Sequence, residues 1–103
     1  MKRRSADIED GNNATAELAE AMVRLRTAEQ MQAFLEDLCT PAELEAMTDR
    51  WKVVPLLLDG VPYREIHDRT LVSVTTIGRV ARTLDRGAGG YAAAIKRRAV
   101  RAG

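Results

Sequence analysis

The chain has little from which to build a cross-linked, metal-bound or catalytic scaffold. Its 103 residues include a single cysteine, Cys39, and a single histidine, His67. One cysteine excludes an intrachain disulfide and puts a metal site of the usual four-ligand type out of reach. The same two residues would have to supply any Cys/His nucleophile and base, yet they are widely separated, and no glycine-rich phosphate loop of the required spacing accompanies them. No catalytic residue and no metal ligand is therefore assigned, and an enzyme is not expected. Long apolar runs are missing as well. The longest, such as Val53 to Leu58, fall far below the roughly 18 to 20 residues that span a bilayer. The opening Met-Lys-Arg-Arg lacks the apolar stretch that follows it in a signal peptide. A soluble, unprocessed, cytoplasmic protein without a membrane partner is the expectation. No segment alternates polar and apolar residues as a half-buried strand does, and 46% apolar content suffices for a core. The fold class expected is all-α, in one domain of about six helices.

What the chain does have is an uneven distribution of charge. The formal net charge is +1. Residues 1–61 nevertheless carry 7 Lys/Arg against 12 Asp/Glu, a balance of −5, while residues 62–103 carry 9 against 3, a balance of +6. A basic half is what a phosphate-contacting surface requires, because cations on the protein release the counterions condensed on a duplex. Scattered charges on a solvated helix face would give the same count without that role.

Local signals divide the chain. Residues 1–13 show no apolar periodicity and read as a mobile arm, leaving 14–103 as the folded domain. A first helix is expected from about Ala14, with Leu18, Met22 and Leu25 at helical spacing. A second, capped by Thr27, offers Met31, Phe34, Leu35 and Leu38 to one side. Thr40-Pro41-Ala42-Glu43 is the clearest helix start in the chain, with Thr able to cap, Pro at the first helical position and Glu able to close the capping box. That helix should run to about Asp59, stopped by Gly60, and its apolar positions Leu44, Met47, Trp51, Val54, Leu57 and Leu58 follow the helical period, with Trp51 expected in the core or at a dimer interface. Pro55 lies inside it, and an interior proline predicts a bend or a break there. Pro62 opens a short helix to about Thr70, Ser73 caps another to about Leu84, and a last helix runs from about Tyr91 to Val100 after the Gly87-Ala88-Gly89-Gly90 loop.

Residues 62–84 thus read as a helix, a tight corner and a second helix, the layout of a helix-turn-helix. Ile66, Ile77, Val80 and Leu84 form the expected inward set. Val74 and Thr75 could meet thymine methyls, and Thr75 could also hydrogen-bond to a base edge. Arg64, Arg69 and Arg82 suit phosphates. The DNA-contacting set is completed by His67, Ser73, Thr76, Gly78 and Arg79, with Gly78 leaving room for close approach to the duplex. Two positions depart from the usual motif. Leu71 occupies the corner site that favours glycine, where a left-handed backbone costs a side chain about 1 kcal/mol or more. His67 stands where a small residue usually follows Glu-Ile, and it is expected to be a partly exposed polar residue at the rim.

The run from Phe34 through Leu38-Cys39-Thr40-Pro41-Ala42-Glu43 to Arg50, with Gly60-Val61-Pro62-Tyr63-Arg64-Glu65-Ile66 and Thr75-Thr76-Ile77-Gly78-Arg79-Val80, resembles the tryptophan repressor superfamily. Gly87 and Gly90 ahead of Tyr91 point to its YerC/YecD-like subgroup. The resemblance covers about residues 18 to 100. It implies an intertwined, all-helical homodimer that binds double-stranded operator DNA through one helix-turn-helix per subunit. It also implies an effector pocket at Thr40, Arg50, Arg79, Val80 and Thr83, where the family holds L-tryptophan between two arginines. Val80 stands for the family's glycine and Thr83 for its serine. A branched side chain at Val80 would intrude on the slot that takes an indole, so binding without L-tryptophan or another small effector is favoured. A dimer is expected on physical grounds too, since a chain this small would struggle to cover the apolar stripes of its N-terminal helices. Together these readings favour a dimeric, sequence-specific transcriptional regulator, most simply a repressor acting by occupancy. The alternative is a helical interaction module that docks a protein partner without contacting an operator.

Overall fold

A computed structural model describes residues 11–95, which hold helices and no strand. They fall into two compact units divided between Thr40 and Pro41. The first contains α1 (Gly11–Val23) and α2 (Ala28–Leu38). Helix α1 starts three residues ahead of the expected Ala14 and ends before Leu25, whose amide bonds to the Met22 carbonyl in a closing turn. The remaining arm residues, 1–10, lie outside the described residues. Thr27 caps α2 as its sequence requires, its hydroxyl accepting the Gln30 amide at 3.0 Å. Gln30 in turn accepts the Arg26 amide at 2.8 Å, so two amides at the helix start are satisfied reciprocally. Among the described side chains of these two helices none is fully buried. Met31, Phe34 and Leu35 are half-buried and Leu38 is exposed.

The second unit comprises α3 (Pro41–Leu58), α4 (Tyr63–Thr70), α5 (Val74–Arg86) and a helical segment over residues 90–95. The continuation of that last helix to Val100 lies outside the described residues. Helix α3 begins at Pro41, as its start signal requires, and carries Pro55 without the break that the sequence suggested. Proline removes only the bond to the Trp51 carbonyl, and the following turn closes normally: the Asp59 amide reaches the Pro55 carbonyl at 3.0 Å. Gly60 then takes the left-handed conformation expected of it, with φ +78°.

Helix α3 packs against both α4 and α5, which pack against each other. The core between them is Val53, Val54, Ile66, Val72, Ile77 and Val80. Every one is β-branched, so little rotamer freedom is lost on burial and three short helices can approach closely. Leu56, Leu57, Val61, Leu84, Tyr91 and Ile95 close its edges. This core takes only part of the periodic set of α3. Val53 and Val54 are fully buried, whereas Met47, Trp51 and Leu58 from the periodic set remain exposed by a third or more. Helix α3 therefore has two apolar faces, and only the one bearing Val53, Val54 and Leu57 meets α4 and α5. Trp51 instead lies beside Tyr91, ring centroids 6.3 Å apart and planes inclined by 34°.

Candidate nucleic-acid interface

The corner between α4 and α5 is built from bonds that the usual motif does not need. Leu71 adopts the left-handed conformation, φ 66° and ψ 9°, and its amide bonds to the His67 carbonyl at 2.7 Å. Its side chain gains nothing in return, being 81% exposed. Compensation comes from its neighbours. His67 Nδ1 donates to the Val72 carbonyl at 2.8 Å, and the Thr70 hydroxyl donates to the Ile66 carbonyl at 2.7 Å while accepting the Val72 amide at 3.1 Å. His67 is thus a half-exposed polar residue, as expected, and its ring is bonded across the corner. With a carbonyl as partner, the imidazole must carry its proton on Nδ1. Val72, held on both sides, is buried in the core.

Helix α5 starts where its sequence says. The Ser73 hydroxyl accepts the Thr76 amide at 3.1 Å and donates to the Thr76 hydroxyl at 3.0 Å. From that start the helix divides cleanly. Ile77, Val80 and Leu84, spaced three and four apart, turn toward α3 and α4. Thr75, Arg79, Arg82 and Arg86 follow the same spacing on the opposite, exposed side. Gly78 lies among them, half-buried beneath its neighbours: a Cβ added there would meet Arg82 Nη1 at 3.7 Å and Tyr63 Cε2 at 4.0 Å.

The ten residues assigned to DNA contact separate accordingly. Arg64, Arg69, Ser73, Val74, Thr75, Arg79 and Arg82 are exposed, with Arg69 loosely paired to Glu65 at 3.4 Å. Such an exposed pair contributes little and leaves the guanidinium available. Gly78 lies at the floor of the same face. His67 and Thr76 are half-buried and engaged in the corner and the cap. Two residues of this surface were overlooked in the sequence. Arg86 is four residues beyond Arg82 on the exposed side, with its side chain 86% exposed and Asp85 at 3.5 Å. Its helical spacing was the available signal. Tyr63, whose ring edges over Gly78, had no local signal, because the contact joins two helices.

Of the five positions of the expected effector pocket, Arg50 is half-buried on α3 and Arg79 exposed on α5, while Thr40 is exposed at the end of the first unit. Val80, one of the expected inward set, is 99% removed from solvent and lies in the core against α3 and α4. Thr83 lines a cavity of about 310 Å³ together with Leu84, Ala88, Gly89, Gly90, Tyr91 and Ala92. Among the described residues no group of three or more His, Cys, Asp or Glu side chains could hold a metal ion, and no helix is long and apolar enough to cross a membrane.

The chain and its backbone are similar to known proteins. The family model for the Trp repressor protein matches residues 13–99. YerC of Bacillus subtilis (strain 168), a protein described as uncharacterized, is 33% identical over 81 residues that span 79% of this chain and 78% of YerC. The crystal structure of a candidate Trp repressor from Staphylococcus aureus superimposes with a TM-score of 0.76 at 32% identity, covering 82% of this chain and 85% of that one. A match over most of the chain, in sequence and in backbone alike, decides the lineage: the chain belongs to the Trp repressor family.

Proposed function

We propose that the protein is a sequence-specific DNA-binding transcriptional regulator that acts as a homodimer and represses by occupying its operator, without requiring L-tryptophan. The observation that carries this reading is the division of α5, whose apolar side is consumed by the core while Thr75, Arg79 and Arg82 are exposed on the other, with Val74 exposed in the same first turn. A helix anchored this way can enter a major groove without losing its packing. Arg64 and Arg69 on α4 flank the groove and contact phosphates, and Thr75 reads a base edge. Two such helices in a twofold dimer would address half-sites about 34 Å apart. Family membership supports a regulatory role over an enzymatic one. Val80, a branched residue where the resemblance places the family's glycine, supports independence from L-tryptophan.

Fluorescence anisotropy with labelled duplexes across a salt series tests the reading. Affinity should fall steeply with salt, and Arg64→Ala should weaken binding to all sequences alike and make the logarithmic salt slope shallower by about one. Thr75→Ala should change the ranking among sequences. Titration calorimetry with L-tryptophan should give no heat of binding, and a micromolar dissociation constant would contradict the tryptophan-independent part. If Arg64→Ala, Arg79→Ala and Thr75→Ala all left duplex binding unchanged, the helix-turn-helix would not be the reader.

A further inference from the structure

Helix α5 carries a notch at the border of its exposed side. Gly78 supplies the floor, and its neighbours one turn away in the helix are Val74 and Arg82. A Cβ on Gly78 would sit in ordinary van der Waals contact with Arg82 Nη1, 3.7 Å, and with the Tyr63 ring, 4.0 Å. The Arg82 guanidinium therefore lies back along the helix toward its N-terminus, the direction in which helical side chains lean. This places the charge a full turn nearer the base-reading end than the Arg82 backbone is. Val74 and Tyr63 are half exposed, at 50% and 42%, and give the notch apolar walls. Glycine in a helix interior costs about 1 kcal/mol relative to alanine, and no close backbone contact in the folded chain requires it here.

We infer that this notch is a reading site for a C5-methylated pyrimidine followed by guanine, the methyl group seated on Gly78 between Val74 and Tyr63, and the guanine paired with Arg82. The inference rests on the DNA-binding reading above. The chemistry follows from the parts. A pyrimidine C5-methyl is the apolar group on the major-groove edge, and a shallow apolar hollow is its complement. Arginine's planar fork matches guanine O6 and N7, the commonest specific contact in that groove. With Arg82 lying over Gly78, both groups can be met on adjacent bases. Arg82 thereby becomes a base reader, not a phosphate contact alone. Either thymine or 5-methylcytosine can supply the methyl group.

The test uses the full chain and the duplex it prefers, obtained by selection from a random pool. In that duplex each thymine is replaced in turn by deoxyuridine, which deletes only the methyl group, and each cytosine preceding guanine by 5-methylcytosine. One thymine-to-deoxyuridine change next to a guanine should weaken wild-type binding about fourfold, the worth of one buried methyl-sized group. A gain of similar size on cytosine methylation alone would assign the notch to 5-methylcytosine. Gly78→Leu fills the hollow and should abolish this methyl dependence, and Arg82→Ala should abolish discrimination at the neighbouring guanine. Thermal melting of both variants separates these effects from misfolding, and if Gly78→Leu does not melt cooperatively, Gly78→Ala, whose Cβ the fold accepts but which occupies the methyl's seat, should likewise lose the methyl dependence. Salt-dependent, sequence-selective binding that ignores every methyl change would overturn the notch and leave the DNA-binding reading standing. Failure to retain any duplex at low salt would overturn both.

Discussion

At the scale of single residues, Leu71 is the least comfortable position in the second unit. It is the one non-glycine residue with positive φ among those described, and its side chain has almost no packing to offset the conformation. Leu71→Gly should therefore stabilise the fold by on the order of 1 kcal/mol, raising the midpoint of a urea melt, because the left-handed penalty exceeds the extra chain entropy of glycine. A lower midpoint would mean that the exposed leucine is buried in the assembled protein. Gly87 predicts the opposite sign. A Cβ there would fall 2.5 Å from the Thr83 carbonyl oxygen and 2.8 Å from Thr83 Cγ2, inside any real contact distance, although its φ of −80° is open to every residue. Gly87→Ala should destabilise by about 1 to 3 kcal/mol through this overlap. The need for glycine at Gly87 is steric, and at the corner it is conformational. Sequence reading identified the corner position correctly, but it could not see that Thr83 lies against Gly87.

At the scale of elements, the local signals were the most legible. Thr27 and Ser73 cap α2 and α5, Pro41 opens α3 and Gly60 closes it. Each of these rests on atoms within about four residues along the chain, so the sequence contains the whole interaction. Pro55 is different, because its consequence depends on whether packing holds the helix together on either side. Val53 and Val54, both fully buried, anchor α3 immediately before the proline, and the helix stays continuous. Pro55→Ala should add the missing bond to the Trp51 carbonyl and stabilise the unit by about 1 to 3 kcal/mol. Calorimetry should show the increase, and an unchanged melting temperature would mean that proline serves packing at this site. The corner shows the same dependence on context. His67 breaks the usual small-residue rule, yet its ring bonds to Val72 and repairs the corner that Leu71 strains.

At the scale of the whole molecule, burial is concentrated in one place. Among the described residues, every buried side chain lies between Val53 and Val80, and α1 and α2 contribute none. Leu18, Val23 and Leu38 in the first unit, with Met47, Trp51 and Leu58 in the second, leave substantial apolar surface in contact with water. Covering it in a homodimer is the simplest relief, and the charge balance of −5 over residues 1–61 against +6 over 62–103 leaves the basic half for a polyanion. Sedimentation equilibrium at micromolar concentration should give a dimer, and the thermal midpoint should rise with protein concentration. A monomer with a concentration-independent midpoint would count against both the dimer and the half-site geometry drawn from it.

The sequence by itself determined the all-α class, the order of the helices, their caps, the helix-turn-helix and the basic character of its half, because these follow from neighbours along the chain or from composition. Tertiary structure alone decided which apolar residues became core. Periodicity marked Met47, Trp51 and Leu58 as readily as Val54, but only the side of α3 facing α4 and α5 found a partner, and Val53 was buried with it. It also bonded His67 across the corner and set Tyr63 and Arg82 over Gly78. Burial and side-chain contact depend on what another helix presents across the gap, and that information is distributed over residues far apart in the chain.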